Sequence, residues 1–129
     1  MESKNLTVVI VTFKSEDKIF TCIDSIPGNV KVIVVENSDN SRFKQSIESK
    51  YPNAKCVLTG ENKGYATANN IGLKKVNTKY ALVLNPDATL EKNTIDNFLN
   101  FAEKNKDFCL VGPANNPVSY THLTLPTIE

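Results

Sequence analysis

Short β-branched and aliphatic runs alternate with stretches of helical spacing over residues 6–112. Leu6-Thr7-Val8-Val9-Ile10-Val11-Thr12-Phe13 is apolar almost without interruption, as expected of a strand covered on both faces. Ser15 is placed to cap a following helix in which Ile19, Ile23 and Ile26 recur at helical spacing, until Pro27-Gly28 stops it. Residues 30–35 predict a second buried strand, closing on the polar turn Glu36-Asn37-Ser38-Asp39-Asn40. Ser41 is then placed to cap a short helix carrying Phe43 and Ile47. Residues 54–58 predict a third strand, and a glycine-bounded loop from Gly60 to Gly64 leads into a helix over about 65–75. Tyr80-Ala81-Leu82-Val83-Leu84 predicts a fourth strand, ended abruptly by Asn85-Pro86-Asp87. From Asn93 a helix turns Ile95, Phe98, Leu99 and Ala102 inward, and residues 109–111 predict a last short strand.

Repeated strand–helix units of this length imply an α/β fold of Rossmann-like type, a mostly parallel sheet with helices on both faces. In such sheets ligands bind beyond the carboxyl ends of the strands, near the point where strand order reverses. The positions to inspect are therefore 12–15, 36–40, 60–64 and 85–88, and all four are polar.

A length of 129 residues fits one domain. Net charge is +1 and the lysines are spread along the chain, which argues against nucleic acid or an anionic membrane as the main partner, since both require a concentrated basic patch. No apolar segment is long enough to cross a bilayer, and Met1-Glu2-Ser3-Lys4 runs straight into a strand pattern, leaving no room for a signal peptide. The expectation is a cytoplasmic location, with the full-length parent free to sit at the inner face of the membrane. Cys22, Cys56 and Cys109 are odd in number, far apart and embedded in apolar patterns. They predict buried free thiols in a reducing compartment, not disulfides or a metal cluster.

After Gly112-Pro113 the pattern breaks. Residues 118–127 show no hydrophobic period, and they resemble the in-frame translation of a transposase adaptor used to prepare shotgun sequencing libraries. The expectation is a domain over residues 1–117 and read-through over 118–129, so His122, the only histidine, receives no catalytic role.

Three places carry candidate chemistry. Asp87 follows a proline that fixes the backbone and so aims the next side chain off the sheet edge. A carboxylate there suits Mg²⁺ or Mn²⁺, which take one or two protein carboxylates and fill their other positions with water and phosphate oxygens; the alternative is an Asx-type turn around Asn85 and Asp87. Glu36-Asn37-Ser38 can hydrogen-bond a base or ribose, or form an ordinary polar turn. Gly60-Glu61-Asn62-Lys63-Gly64-Tyr65 precedes Asn69-Asn70. Adjacent asparagines are poor helix formers, which invites a binding explanation, and Gly64 allows close backbone approach at a helix start that favours negative charge. The alternative there is a glycine needed only for its turn. A dinucleotide-binding glycine fingerprint after the first strand, a nucleophile elbow and a phosphate-binding P-loop are all missing.

Taken in order, these residues resemble the family 2 glycosyltransferases, which have the GT-A fold. Val8 to Ser15 resembles the family's opening strand and loop, usually ending Tyr-Asn-Ser. Val34-Val35-Glu36-Asn37-Ser38 resembles its second motif, where Asp is usual in place of Glu36. Asn62-Lys63-Gly64-Tyr65-Ala66-Thr67-Ala68-Asn69-Asn70-Ile71-Gly72 is similar to Asn-x-Gly-Phe-Ala-x-Ala-Asn-Asn-x-Gly, and Leu84-Asn85-Pro86-Asp87-Ala88 to the form of the metal motif common in the rhamnosyltransferase-like branch. The resemblance covers about residues 6–113.

It implies an inverting, hexosyltransferase-type enzyme that uses a nucleoside-diphosphate sugar (dTDP- or UDP-linked), a divalent cation and a glycan or lipid-linked acceptor. Thr12, Phe13 and Glu36, with Asn37 beside them, would meet the nucleoside. Asn69 and the Gly64 turn would lie near the donor, Asn85 would stand where a first carboxylate is more widespread, and Asp87 would ligate Mg²⁺ or Mn²⁺. The catalytic base and most acceptor contacts would follow downstream, so the expectation is a truncated donor-binding half without turnover. A non-catalytic nucleotide-binding module of the same fold, and an α/β domain without ligand, are the alternatives.

Overall fold

The structure, a computed structural model, describes residues 4–105. They form β1 (Leu6–Thr12), α1 (Ile19–Asp24), β2 (Lys31–Glu36), α2 (Ser41–Lys50), β3 (Ala54–Leu58), α3 (Tyr65–Leu73), β4 (Tyr80–Leu84) and α4 (Thr94–Lys104). The chain parts into two compact units, Met1–Lys92 and Asn93–Glu129. The first holds the whole sheet; of the second, the described part is α4, with Ile95 and Ala102 buried and Phe98 and Leu99 half-buried. None of the described helices is long and apolar enough to cross a membrane.

All four strands are parallel, in the order β3-β2-β1-β4. Every residue of β1 is buried, as its unbroken apolar run requires, so both faces of the sheet are covered at its centre. The two steps from β1 to β2 and from β2 to β3 run the same way, and right-handed crossovers put α1 and α2 on one face. Tyr51, just after α2, ties these helices together: its hydroxyl donates to Asp24 Oδ1 at 2.7 Å, with the Phe20 carbonyl a second acceptor within reach at 3.1 Å. The connection from β3 to β4 steps back past two strands, which by the same rule carries α3 over the opposite face. Gly72 of α3 lies so close to the sheet there that a Cβ on it would stand 2.7 Å from a Val9 methyl and 2.8 Å from one of Val35. Ala68, one turn earlier, packs in a cluster with Val11 and Val35.

The outer edge of β3 is closed by side chains of α2. Glu48 accepts from the Cys56 amide at 2.9 Å and Lys44 donates to the Cys56 carbonyl at 2.5 Å, occupying groups that an exposed edge would offer to another strand. β4 differs, because Val83 is 42% exposed.

Several boundaries depart from the sequence expectation. Residues 16–18 form a turn and α1 begins at Ile19. Ser15 does not cap it; its hydroxyl turns back to the Phe13 carbonyl at 3.3 Å. Asn40, not Ser41, caps α2, since its Oδ1 accepts from the Phe43 amide at 3.1 Å. α3 stops at Leu73, where Lys75 switches to a tighter bond with the Gly72 carbonyl. Cys22 and Cys56 are free and buried, as expected. The strand expected at 109–111, the tail at 118–129 and Cys109 lie outside the described residues.

Candidate functional site

Strand register brings the polar segments to one end of the sheet. Thr12, the last residue of β1, pairs with Glu36, the last of β2, and Glu36 in turn pairs with Leu58, the last of β3. On the other side of β1, Leu84 pairs with Ile10, so Asn85 and Pro86 leave the sheet level with Val11 and Thr12. The segments that follow all emerge at the carboxyl edge, on both sides of the point where strand order reverses.

At the centre sits a carboxylate held by hydroxyls. Thr12 Oγ1 donates to Glu36 Oε1 at 2.6 Å and Ser38 Oγ donates to Oε2 at 2.5 Å, with Glu36 4% exposed. Charge-assisted bonds of this kind are about twice as strong as neutral ones, and each carboxylate oxygen retains acceptor capacity beyond one donor. Thr12 is itself fully buried, so the Thr12–Glu36 pair lies beneath the surface at the carboxyl ends of β1 and β2.

Asn37 joins three loops. Its backbone amide donates to the Thr12 carbonyl at 2.8 Å, and its side-chain amide donates to the Gly64 carbonyl at 3.1 Å. Its Oδ1 accepts from Thr59 Oγ1 and from the Lys63 amide, each at 3.0 Å. The sequence placed Asn37 among the ligand contacts; the structure engages its polar atoms in holding the 59–64 loop against β1. Gly64, at φ 87°, is the residue before α3, a backbone conformation that an L side chain rarely adopts. Its amide donates to Asn62 Oδ1 at 3.0 Å.

Two predicted contact residues face outward or lack partners. Phe13 is 43% exposed, and Lys14 Nζ stands 5.2 Å from its ring centroid. Lys14 itself holds φ at 56°, in the left-handed region. The asparagine pair of α3 splits: Asn70 is exposed, whereas Asn69 is 9% exposed and its Oδ1 is enclosed without a hydrogen-bond partner. A buried, unpaired carboxamide oxygen costs about 1–3 kcal/mol, which a ligand donor would relieve.

On the other side of β1 from Glu36, Asp87 is exposed and its carboxylate has no hydrogen bond or ion pair among the described residues. The turn that presents it is closed by backbone, with the Ala88 amide donating to the Asn85 carbonyl at 3.0 Å, and no side-chain bond of Asn85 or Asp87 closes it. The same Asn85 carbonyl lies 3.7 Å from Cys22 Sγ. Burial, and then the negative charge of Asp87, push the Cys22 thiol up to about 11, so it is a protonated donor. Among the described residues no three His, Cys, Asp or Glu side chains gather closely enough to cage a metal ion. The donor set is one free carboxylate, which suits a hydrated cation completed by ligand oxygens. Sequence reasoning missed Ser38 as a prop of Glu36, Thr59 as a partner of Asn37, and the role of Cys22 beside Asn85; a serine two residues after a strand-end acid was the available signal for the first.

The family model described as Glycosyl transferase family 2 matches residues 7–127. The low-salt glycan biosynthesis hexosyltransferase Agl10 of Haloferax volcanii is 33% identical over 95 residues, covering 70% of this chain and 30% of that protein. The minor teichoic acid biosynthesis protein GgaB of Bacillus subtilis is 33% identical over 84 residues, 61% of this chain and 9% of that protein. Among solved structures, S. aureus TarS residues 1–349 superimposes with a TM-score of 0.70 at 20% identity, over 90% of this chain and 38% of that one. The same TarS fragment in complex with UDP gives 0.68 at 21% identity, over 91% and 38%. The chain thus spans well under half the length of each of these proteins.

Proposed function

From the chain's place in glycosyl transferase family 2, to which it belongs, we propose that it carries the donor-binding portion of an inverting glycosyltransferase. The donor is a UDP- or dTDP-linked sugar and the acceptor a glycan or lipid-linked saccharide in the full-length protein, which works on the cytoplasmic side of the membrane. Relatives named for glycan and teichoic acid biosynthesis, and the UDP complex of a structural neighbour, support this substrate class.

The observation that carries the proposal is the free, exposed Asp87 carboxylate at the strand-end edge, across β1 from the buried Thr12–Glu36 pair. The nucleoside lies at the strand ends beside the buried Thr12–Glu36 pair, with Phe13 offering an exposed ring to the base. The Gly64 turn, fixed by Asn37, leaves room for close backbone approach, and Asn69 supplies an unpaired oxygen to a ligand N–H or O–H. Asn85 shapes the turn, and Asp87 would hold Mg²⁺ or Mn²⁺. When bound, the cation supplies charge neutralisation at the departing diphosphate. In the transfer step, an acceptor hydroxyl bonds to the anomeric carbon as the bond to the diphosphate oxygen breaks, while a base takes the hydroxyl proton. We place that base and most acceptor contacts in sequence beyond residues 1–117, and expect no sugar transfer by the 129-residue chain alone.

Calorimetric titration with UDP, with and without Mn²⁺, tests the proposal. Binding strengthened by the cation, with that gain lost in Asp87→Ala while cation-free binding persists, supports it. Equal affinities with and without Mn²⁺ contradict it.

A further inference from the structure

The loop that presents Asp87 is fastened at both feet to the end of α1, by residues with no evident part in binding. At its first foot, the Asn85 carbonyl accepts from the Cys22 thiol across 3.7 Å. At its second, the Leu90 amide donates to Ser25 Oγ at 2.9 Å, and that hydroxyl donates onward to the Cys22 carbonyl at 2.6 Å. Ser25 thus uses its acceptor on the loop and its donor on the helix. Between the feet, the 85–88 turn is closed only by its own backbone bond, and Asp87 has no side-chain support among the described residues.

A short loop whose ligand side chain is unsupported depends on its two ends for orientation. Both ends here are bonded to residues one helical turn apart on the last turn of α1 and its first following residue. We propose that Cys22 and Ser25 are positioning residues for Asp87: α1 acts as a rigid base that sets the height and direction of the carboxylate at the strand-end edge of the sheet. This rests on the donor-binding role given to Asp87 above. Ser25 carries the larger share, because a thiol is a weak donor and a hydroxyl a strong one. Outer partners that orient a metal ligand typically change metal affinity by 10–100-fold when removed, and a positioning role for Ser25 falls at the low end because the ligand itself stays in place.

The test uses the full 129-residue chain, UDP and Mn²⁺. In Ser25→Ala, the cation-dependent part of UDP affinity falls about tenfold while cation-free affinity stays at the wild-type value; Ser25→Thr, which keeps the hydroxyl, restores it, and Cys22→Ser is milder than Cys22→Ala. Amide hydrogen exchange gives a readout independent of ligand: in Ser25→Ala the Leu90 amide exchanges faster while the amides of β1 and β2 do not. Cation-dependent binding in Ser25→Ala equal to wild type, or unchanged exchange at Leu90, overturns the proposal while leaving the Asp87 assignment intact. Absence of any cation effect in the wild type overturns that assignment, and the role of Ser25 with it. A fall in cation-free affinity equal to the cation-dependent fall means general loosening and also overturns the proposal.

Discussion

At the scale of single residues, Asn69 separates what a side chain does for the fold from what it does for a ligand. Its oxygen is enclosed and unpaired, so for stability alone an apolar side chain of similar size would serve at least as well. Asn69→Leu is therefore expected to leave unfolding free energy unchanged or raise it by about 1 kcal/mol in urea titrations, while UDP affinity falls. Loss of stability would mean that the carboxamide has a structural partner. The sequence pointed here through two adjacent asparagines in a helix, but could not say which faces inward. That is set by α3 packing its Ala68 and Gly72 against the sheet. Lys14 makes a similar point. Its φ of 56° accounts for the asparagine usual there in the family, since Asn tolerates the left-handed region better than other residues. Lys14→Asn is expected to raise stability by about 0.5–1 kcal/mol, measured by the same titration.

At the scale of elements, strands were legible where the apolar runs were unbroken: β3 and β4 fall on the residues expected, and β1 differs only at Phe13. Helix starts were less so, because several polar residues in a row can each cap. Asn40 and Ser41 are neighbours with equal claims, and the geometry of the chain leaving Ser38 decides for Asn40. The contact between α3 and the sheet is tight enough to test. At Gly72 an added methyl would meet two branched side chains at 2.7 and 2.8 Å, and Gly72→Ala is expected to cost about 1–3 kcal/mol as overpacking. The closed edge of β3 has a pH signature. The Cys56 amide bonded to Glu48, with help from Lys44 and against the effect of burial, holds the Glu48 carboxyl below the usual range. A folded value below the unfolded one means the stabilisation is present above about pH 4.5 and is lost as pH falls through the folded value. The Glu48 side chain is 36% exposed, so solvent screens the interaction and the effect is small. Glu48→Gln should flatten the stability curve between roughly pH 3 and 5; an unchanged slope would contradict this assignment.

At the scale of the whole molecule, the repeat of strand and helix made the parallel sheet legible, and the strand-end rule picked out polar segments that the register brings to one edge. Strand order was not legible, because apolar runs say that a strand is buried without saying beside which neighbour. The order β3-β2-β1-β4 matters, since it sets Asp87 on one side of β1 and Glu36 on the other, and so gives the strand-end edge two acids of different character: a buried one held by hydroxyls, and an exposed one held by none. Sequence reasoning already gave Glu36 and Asp87 different roles; packing adds that the first is buried and held by two hydroxyls, whereas the second is exposed and without a bond among the described residues.

The most direct check on that distinction is paramagnetic broadening of backbone amide signals by trace Mn²⁺ in the presence of UDP. The account predicts selective broadening at residues 85–88, with weaker effects at Thr12 and Phe13, and loss of this pattern in Asp87→Ala. Broadening centred on another acidic position, such as Glu48 or Glu61, with residues 85–88 unaffected, would contradict it.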